Sequence, residues 1–135
     1  MSNKVSAVIV FDRKRERFLI LRRSSICRSP GLWNFPGGSL DEGECYEEAG
    51  ARELFEESSL ETSPDSLTYL STLVQGKLII KIFSTDDFSG EVSINKESSD
   101  FKWIDISEFQ DYNFVGGGEI HPVILDKLVV KYLIH

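Results

Sequence analysis

Cysteine, histidine and basic charge are all scarce in this chain of 135 residues, and each shortage removes a class of function. The two cysteines, Cys27 and Cys45, have no metal-ligand spacing, so free thiols are expected and a disulfide framework is not. Lys and Arg number 15 against 22 Asp and Glu, a formal net charge of -7. A nucleic-acid backbone selects basic surface, so no duplex partner is expected. An anionic ligand remains compatible with this charge where bound metal ions carry the local positive charge. No apolar run approaches the ~18 residues of a transmembrane helix, and no basic stretch followed by an apolar core opens the chain. A soluble cytoplasmic protein without a membrane partner follows as the expectation.

What is present is an ordinary globular composition, 41% hydrophobic and 27% charged. One domain over residues 1–135 is expected, without internal repeats or low-complexity linkers. Val5 to Phe11 and Phe18 to Leu21 are β-rich runs flanking the charged stretch Asp12 to Arg17, which predicts a hairpin. Trp33 to Phe35 is a short apolar segment ended by a Pro36-Gly37-Gly38 turn. Cys45 to Ser58 has helical spacing, and Leu67 to Val74 and Lys77 to Phe83 predict two strands around Gln75-Gly76. Asp86 to Asp100 is polar, with a short strand expected near Glu91 to Ile94, and Phe101 to Ile104 returns to strand character. Pro122 to Ile134 has the spacing of a closing helix. A mixed sheet with a central and a C-terminal helix results.

The densest chemistry lies between Gly37 and Leu60. On a helix, Glu53, Glu56 and Glu57 share an arc of about 100°, with Ala51, Leu54 and Phe55 opposite as the expected core face. Like charges four residues apart cost a helix about 0.2–0.5 kcal/mol per pair. Acids near its C-terminus cost a further ~0.3–1 kcal/mol each. A divalent cation reverses both penalties, and hard oxygen ligands select magnesium, manganese or calcium. A solvated acidic face is the alternative for such a helix taken alone.

The surrounding residues point away from that alternative. Gly38 is followed after five residues by Glu44 and after seven more by Arg52-Glu53-Leu54, with Glu56, Glu57 and Leu60 behind. This pattern resembles the Nudix box, G-x5-E-x7-R-E-U-x-E-E-x-G-U, where U is bulky and aliphatic. Eight of nine specified positions match, and the departure is Ser59 where the family has glycine. If that position has positive φ, the serine costs on the order of 1 kcal/mol.

The resemblance implies an α/β fold, an α/β/α sandwich around a central mixed sheet. It implies magnesium-dependent hydrolysis, with manganese as a substitute, of a nucleoside diphosphate linked to another group. Carried onto this chain, Glu53, Glu56 and Glu57 ligate the metal, with Glu44 as a further ligand or outer partner. Arg52 orients the carboxylates. The general base is either Glu53 or Glu97, six residues before Trp103, with Asp100 a weaker candidate. Gly37 and Gly38 let backbone approach phosphate. A catalytically silent Nudix-like nucleotide-binding domain is the alternative of another class, and Ser59 is its only support.

Outside the box, Arg23 and its neighbour Arg22 end a strand leading towards the glycines and are candidates for phosphate contact. Phe35 and Trp33 are candidates for stacking a base, core packing being expected for at least one. Gly116-Gly117-Gly118 and His121 precede the last helix and read as its entry. The substrate is a small-molecule nucleotide, and homodimerisation stays open. Some dinucleoside-polyphosphate and RNA-end hydrolases of the family carry glutamine before the glycines, whereas here Phe35-Pro36 stands there. A proline about 16 residues beyond the box marks ADP-ribose hydrolases, and Gly76 occupies that place. Nucleoside triphosphates are left as the leading class, with nucleotide sugars and dinucleoside polyphosphates as rivals.

Overall fold

The computed structural model describes residues 3–115 and 122–134, so Gly116–Gly118 and His121 lie outside the described residues. Strands β1 (Lys4–Asp12) and β2 (Arg17–Arg23) form the expected hairpin. Its turn is closed by Asp12, whose carboxylate accepts the backbone N–H groups of Lys14 at 2.8 Å and Arg15 at 3.3 Å.

After β3 (Trp33–Asn34), the Pro36-Gly37-Gly38 segment departs from the expected turn. Gly37–Ser39 is a strand, β4, antiparallel to β1 with Ser6 opposite Gly38 and Ala7 opposite Gly37. A Cβ on Gly37 would lie 2.3 Å from the Ser6 carbonyl oxygen, so only glycine permits this pairing. β5 (Thr68–Gln75) and β6 (Leu78–Thr85) form the second hairpin. β6 runs parallel to β1 from Lys4 opposite Ile79 to Val10 opposite Thr85. β7 (Ser98–Ile104) pairs antiparallel with β2, and the sheet order is β3-β2-β1-β6-β5 with β4 on β1 and β7 on β2.

Alternation along the hairpin covers both faces of this sheet. Ile9, Phe11, Phe18 and Ile20 pack with Ile124, Leu128 and Tyr132 on one side, while Val8, Val10, Leu19 and Leu21 pack with Leu54 and Leu60 on the other. Each fully buried aliphatic side chain contributes about 1.5–3 kcal/mol. Helix α1 (Tyr46–Ser58) covers the second face and α2 (Pro122–Leu128), continued by a π-helical turn over Val129–Leu133, covers the first. This is the α/β sandwich that the sequence leads one to expect. Among the described residues no helix is long and apolar enough to cross a membrane.

Two further expectations are corrected and one element is new. No strand forms near Glu91 to Ile94; the Ser93 N–H instead donates to the Ser58 carbonyl at 2.9 Å, serving the end of α1. A 3-10 helix over Ile106–Asp111 was not expected, and Asp105 and Glu108 cap it reciprocally. Phe55 is 52% exposed rather than core. The buried face of α1 is Ala49, Gly50, Leu54, Glu57 and Ser58, because Gly50 lets the helix settle against β1. A Cβ there would be 2.9 Å from Ser6 Oγ and 3.1 Å from Val8. That docking turns Glu57 inward and Phe55 out.

The positive φ suspected at Ser59 is present: it is the left-handed C-cap of α1, φ 68°, with its N–H on the Phe55 carbonyl. Its hydroxyl donates to the Ser93 carbonyl at 3.0 Å. Replacement by glycine relieves about 1 kcal/mol of backbone strain and loses one hydrogen bond worth about 0.5–1.5 kcal/mol. Ser59→Gly should therefore shift urea-unfolding stability by less than about 1 kcal/mol and leave manganese affinity unchanged. A large gain in turnover would mean that the serine distorts the acidic helix.

Candidate active site

Arg52 organises the acidic edge of α1. Its Nε and Nη2 donate to the two carboxylate oxygens of Glu44 at 2.8 and 3.0 Å, a fork-to-fork pair. Its Nη1 reaches Glu53 Oε1 at 3.0 Å and Glu56 at 3.2 Å, and Nη2 also holds the Ser39 carbonyl of β4 at 3.0 Å. Asp41 adds an ion pair at 3.3 Å. The Arg52 bonds, with help from the Asp41 N–H, hold the Glu44 carboxyl below its usual range, and Glu44 in turn raises the guanidinium. Both oxygens of Glu44 are thereby committed, since Oε1 also accepts the Asp41 N–H at 2.7 Å. Glu44 anchors Arg52 from outside the cluster.

Glu57 is the unusual member. It is 7% exposed, and among the described residues its two oxygens accept only the Gly37 N–H, at 3.2 and 3.3 Å. Burial pushes its carboxyl up to about 8, with Glu53 and Glu97 adding repulsion and Arg23 opposing it. Glu53 is raised as well, first by burial and then by Glu56 and Glu97, against the Arg52 bond. Glu97, in the loop before β7, thus acts electrostatically on both Glu53 and Glu57 of α1.

The glycines of β4 have different roles. A Cβ on Gly38 would meet the Glu53 carboxylate at 2.6 Å, the far end of a flexible side chain. Gly38→Ala should therefore displace Glu53 and lower turnover at least about tenfold while costing under ~1 kcal/mol in thermal unfolding. Unchanged turnover would mean that the position of Glu53 is immaterial.

Of the other candidates, Arg23 bears electrostatically on Glu57, and its Nε donates to the Arg28 carbonyl. Arg22 donates to the Gly31 carbonyl at 3.2 Å, which bends the loop back on itself. Trp33 is a core residue, 9% exposed. Phe35 is half-buried and stacks on Phe114 with ring centroids 5.5 Å apart. Asp100 accepts its neighbour's N–H at 2.8 Å and sits opposite Arg22 in the sheet. Cys27 and Cys45 are free thiols, and Cys45 caps α1 by accepting the Glu48 N–H.

Among the described residues no three His, Cys, Asp or Glu side chains form a ready metal cage. The donor set nonetheless suits a hard divalent cation, being all carboxylate oxygen. Glu53 and Glu56 are drawn onto Arg52, and among the described residues buried Glu57 has no cationic side chain bonded to it, Arg23 acting on it only electrostatically.

The NUDIX domain profile matches residues 2–122 of the chain. The protein belongs to the NUDIX domain family. An RNA pyrophosphohydrolase from a Nitratiruptor species is 31% identical to this NUDIX domain over 120 residues, covering 82% of the chain and 75% of the relative. The m7GpppN-mRNA hydrolase NUDT17 of Danio rerio is 38% identical over 64 residues, 47% of this chain but only 21% of the larger protein. The structure of MutT from Aliivibrio salmonicida and Vibrio cholerae superposes with a TM-score of 0.78 at 22% identity, covering 96% of this chain and 98% of that one. That last likeness is one of fold.

Three features of this NUDIX domain's site escaped the sequence. Asp41, Ser24 and Asn95 all hold site residues through hydrogen bonds or ion pairs, and nothing in the local pattern of Asp41 or Ser24 marks them. Asn95 alone carries a signal, an Asx turn two residues before Glu97.

Proposed function

We propose that this Nudix-type pyrophosphohydrolase hydrolyses the pyrophosphate linkage of a nucleoside diphosphate joined to a further group, nucleoside triphosphates being the preferred class. The observation that carries the proposal is the buried carboxylate of Glu57, which accepts the Gly37 N–H and, among the described residues, is bonded to no cationic side chain. An acid so placed is expensive unless it meets a positively charged ligand. A divalent cation, magnesium or manganese, would be held by Glu53, Glu56 and Glu57, where it would neutralise pyrophosphate oxygens and acidify water.

The chain's own groups supply the rest. Arg52, locked by Glu44, keeps Glu53 and Glu56 on one edge of α1. Gly37 and Gly38, which carry no side chains, bring the backbone of β4 directly against the carboxylates of Glu57 and Glu53, where a metal-bound phosphate would sit. Arg23 adds positive charge near Glu57, and Phe35 presents a half-buried ring in the residues leading into that strand. Glu97 is assigned to accept the proton of the attacking water, because Glu53 is already engaged by Arg52.

The substrate class is read outside the acidic cluster. Phe35-Pro36 before the glycines and Gly76 beyond the box argue against two rival classes. An RNA 5′ end is the second reading, favoured by the relative named as an RNA pyrophosphohydrolase. The net charge of -7 weighs against it. A screen of nucleoside triphosphates, nucleotide sugars, dinucleoside polyphosphates and 5′-triphosphorylated RNA with magnesium, scoring monophosphate and pyrophosphate, should show triphosphates fastest. Faster RNA turnover would transfer the assignment to the second reading, and no turnover of any would favour a silent binding domain. Glu97→Gln should lower kcat by about 10²–10⁴ and remove one limb of its pH dependence. An unchanged pH profile would return the base role to Glu53.

A further inference from the structure

Glu97 lies in an exposed polar loop, yet its main chain is held at both ends. Its N–H donates to Asn95 Oδ1 at 3.0 Å. Its carbonyl accepts the Ser24 N–H at 2.9 Å and the Cys27 thiol at 3.4 Å. The second half of the Asn95 carboxamide points elsewhere: Nδ2 donates to the Glu56 carbonyl at 3.0 Å. Glu56 belongs to the last turn of α1, where carbonyls have no partner within the helix. One side chain thus satisfies an orphan carbonyl between the acids Glu56 and Glu57 and, through its other atom, fixes the amide of Glu97.

From this geometry we infer that Asn95 is a positioning residue, which couples the acidic end of α1 to the Glu97 loop and fixes how the two sets of carboxylates face each other. The neighbouring bonds give the coupling a rigid base. Ser93 N–H donates to the Ser58 carbonyl at 2.9 Å and Ser59 Oγ to the Ser93 carbonyl at 3.0 Å, so the stretch before Asn95 is already tied to the helix end. Beyond it, Ser24 Oγ donates to the Lys96 carbonyl at 2.8 Å, which ties the loop to the end of β2. Asn95 is the link at which the helix-side tie passes to Glu97. A misplacement of about 1 Å at a proton acceptor is enough to cost on the order of 100-fold in rate.

The inference rests on the base role proposed for Glu97, so the test separates the two. Turnover is measured on whichever of GTP, UDP-glucose and diadenosine tetraphosphate is hydrolysed fastest with magnesium, and amide hydrogen exchange is measured on the metal-free protein. Asn95→Ala should lower kcat by about 10- to 100-fold with KM and manganese affinity nearly unchanged. It should also speed exchange of the Glu97 amide about tenfold. Asn95→Asp keeps the acceptor for Glu97 but loses the donor to Glu56. It should preserve the slow exchange and still lose turnover as the alanine variant does.

In a Glu97→Gln background, Asn95→Ala should cost less than about a further twofold, since both act on the same step. An equal loss in both backgrounds would show that Asn95 acts on something other than Glu97 and would overturn the positioning role. Unaccelerated exchange in Asn95→Ala, or parental turnover in Asn95→Asp, would overturn the tether itself. Full turnover in Glu97→Gln would instead remove the base role, and the positioning role with it, whatever the exchange data show.

Discussion

Glu57→Gln is expected to lower turnover by at least about 100-fold, or about 2.7 kcal/mol of transition-state stabilisation, while the metal-free protein becomes more stable at neutral pH. The two effects have one origin. Glu57 is buried beside β4, and its carboxyl is pushed from 4.5 in the unfolded reference up to about 8 in the fold. Below about pH 4.5 the group is neutral in both states and its contribution to folding is whole. Between about 4.5 and 8 the unfolded chain gives up the proton while the folded one keeps it, so stability is lost as pH rises through that window.

At about 1.36 kcal/mol per unit, the loss at pH 7 is about 3 kcal/mol as an upper figure. Glutamine does not ionise and retains an oxygen for the Gly37 N–H, so the variant should show a flatter stability profile over the same range. Magnesium or manganese should raise the parent's unfolding temperature near pH 8 and have little effect on the variant. Denaturation at several pH values, with and without the cation, checks both parts. A variant that turns over like its parent, or is stabilised by the cation to the same degree, would deny Glu57 its role as a ligand.

The contrast between Glu57 and Phe55 shows how far the sequence could be read. Helical spacing placed α1 and its acids well, because periodicity depends only on neighbours along the chain. The rotation of that helix about its axis is not the one its bulky residues suggest, since Phe55 is exposed. Gly50 and Ala49 allow the close approach that turns Glu57 inward, and small residues carry no hydrophobic signal. The same holds for β4, where two glycines suggested a turn and in fact remove the side chains that would keep that segment from β1. The box spacing made Arg52, Glu44 and the metal candidates visible as a set. The long-range bonds of Asn95 and Ser24 stayed invisible, since they reach residues 39 and 72 positions away.

Arg52→Ala is expected to be the most damaging single change at the acidic edge, for stability as well as turnover. The guanidinium bonds Glu44 through two nitrogens and Glu53 and Glu56 through a third, and it also reaches the Ser39 carbonyl. Removing it takes from Glu44 and Glu53, whose side chains are only 18% and 16% exposed, the guanidinium that pairs them. Breaking a buried pair costs about 3–5 kcal/mol, and partial exposure of this cluster reduces the expected loss to about 2–3 kcal/mol. Lysine restores one charge but not the planar fork, and a single ammonium cannot serve Glu44 bidentately while also reaching Glu53. Arg52→Lys should therefore recover no more than about half of the stability and little of the turnover. Urea unfolding without metal reads the first quantity. If lysine restored both in full, Arg52 would act merely as a positive charge, and the fork that joins β4 to the acids of α1 would have no functional part.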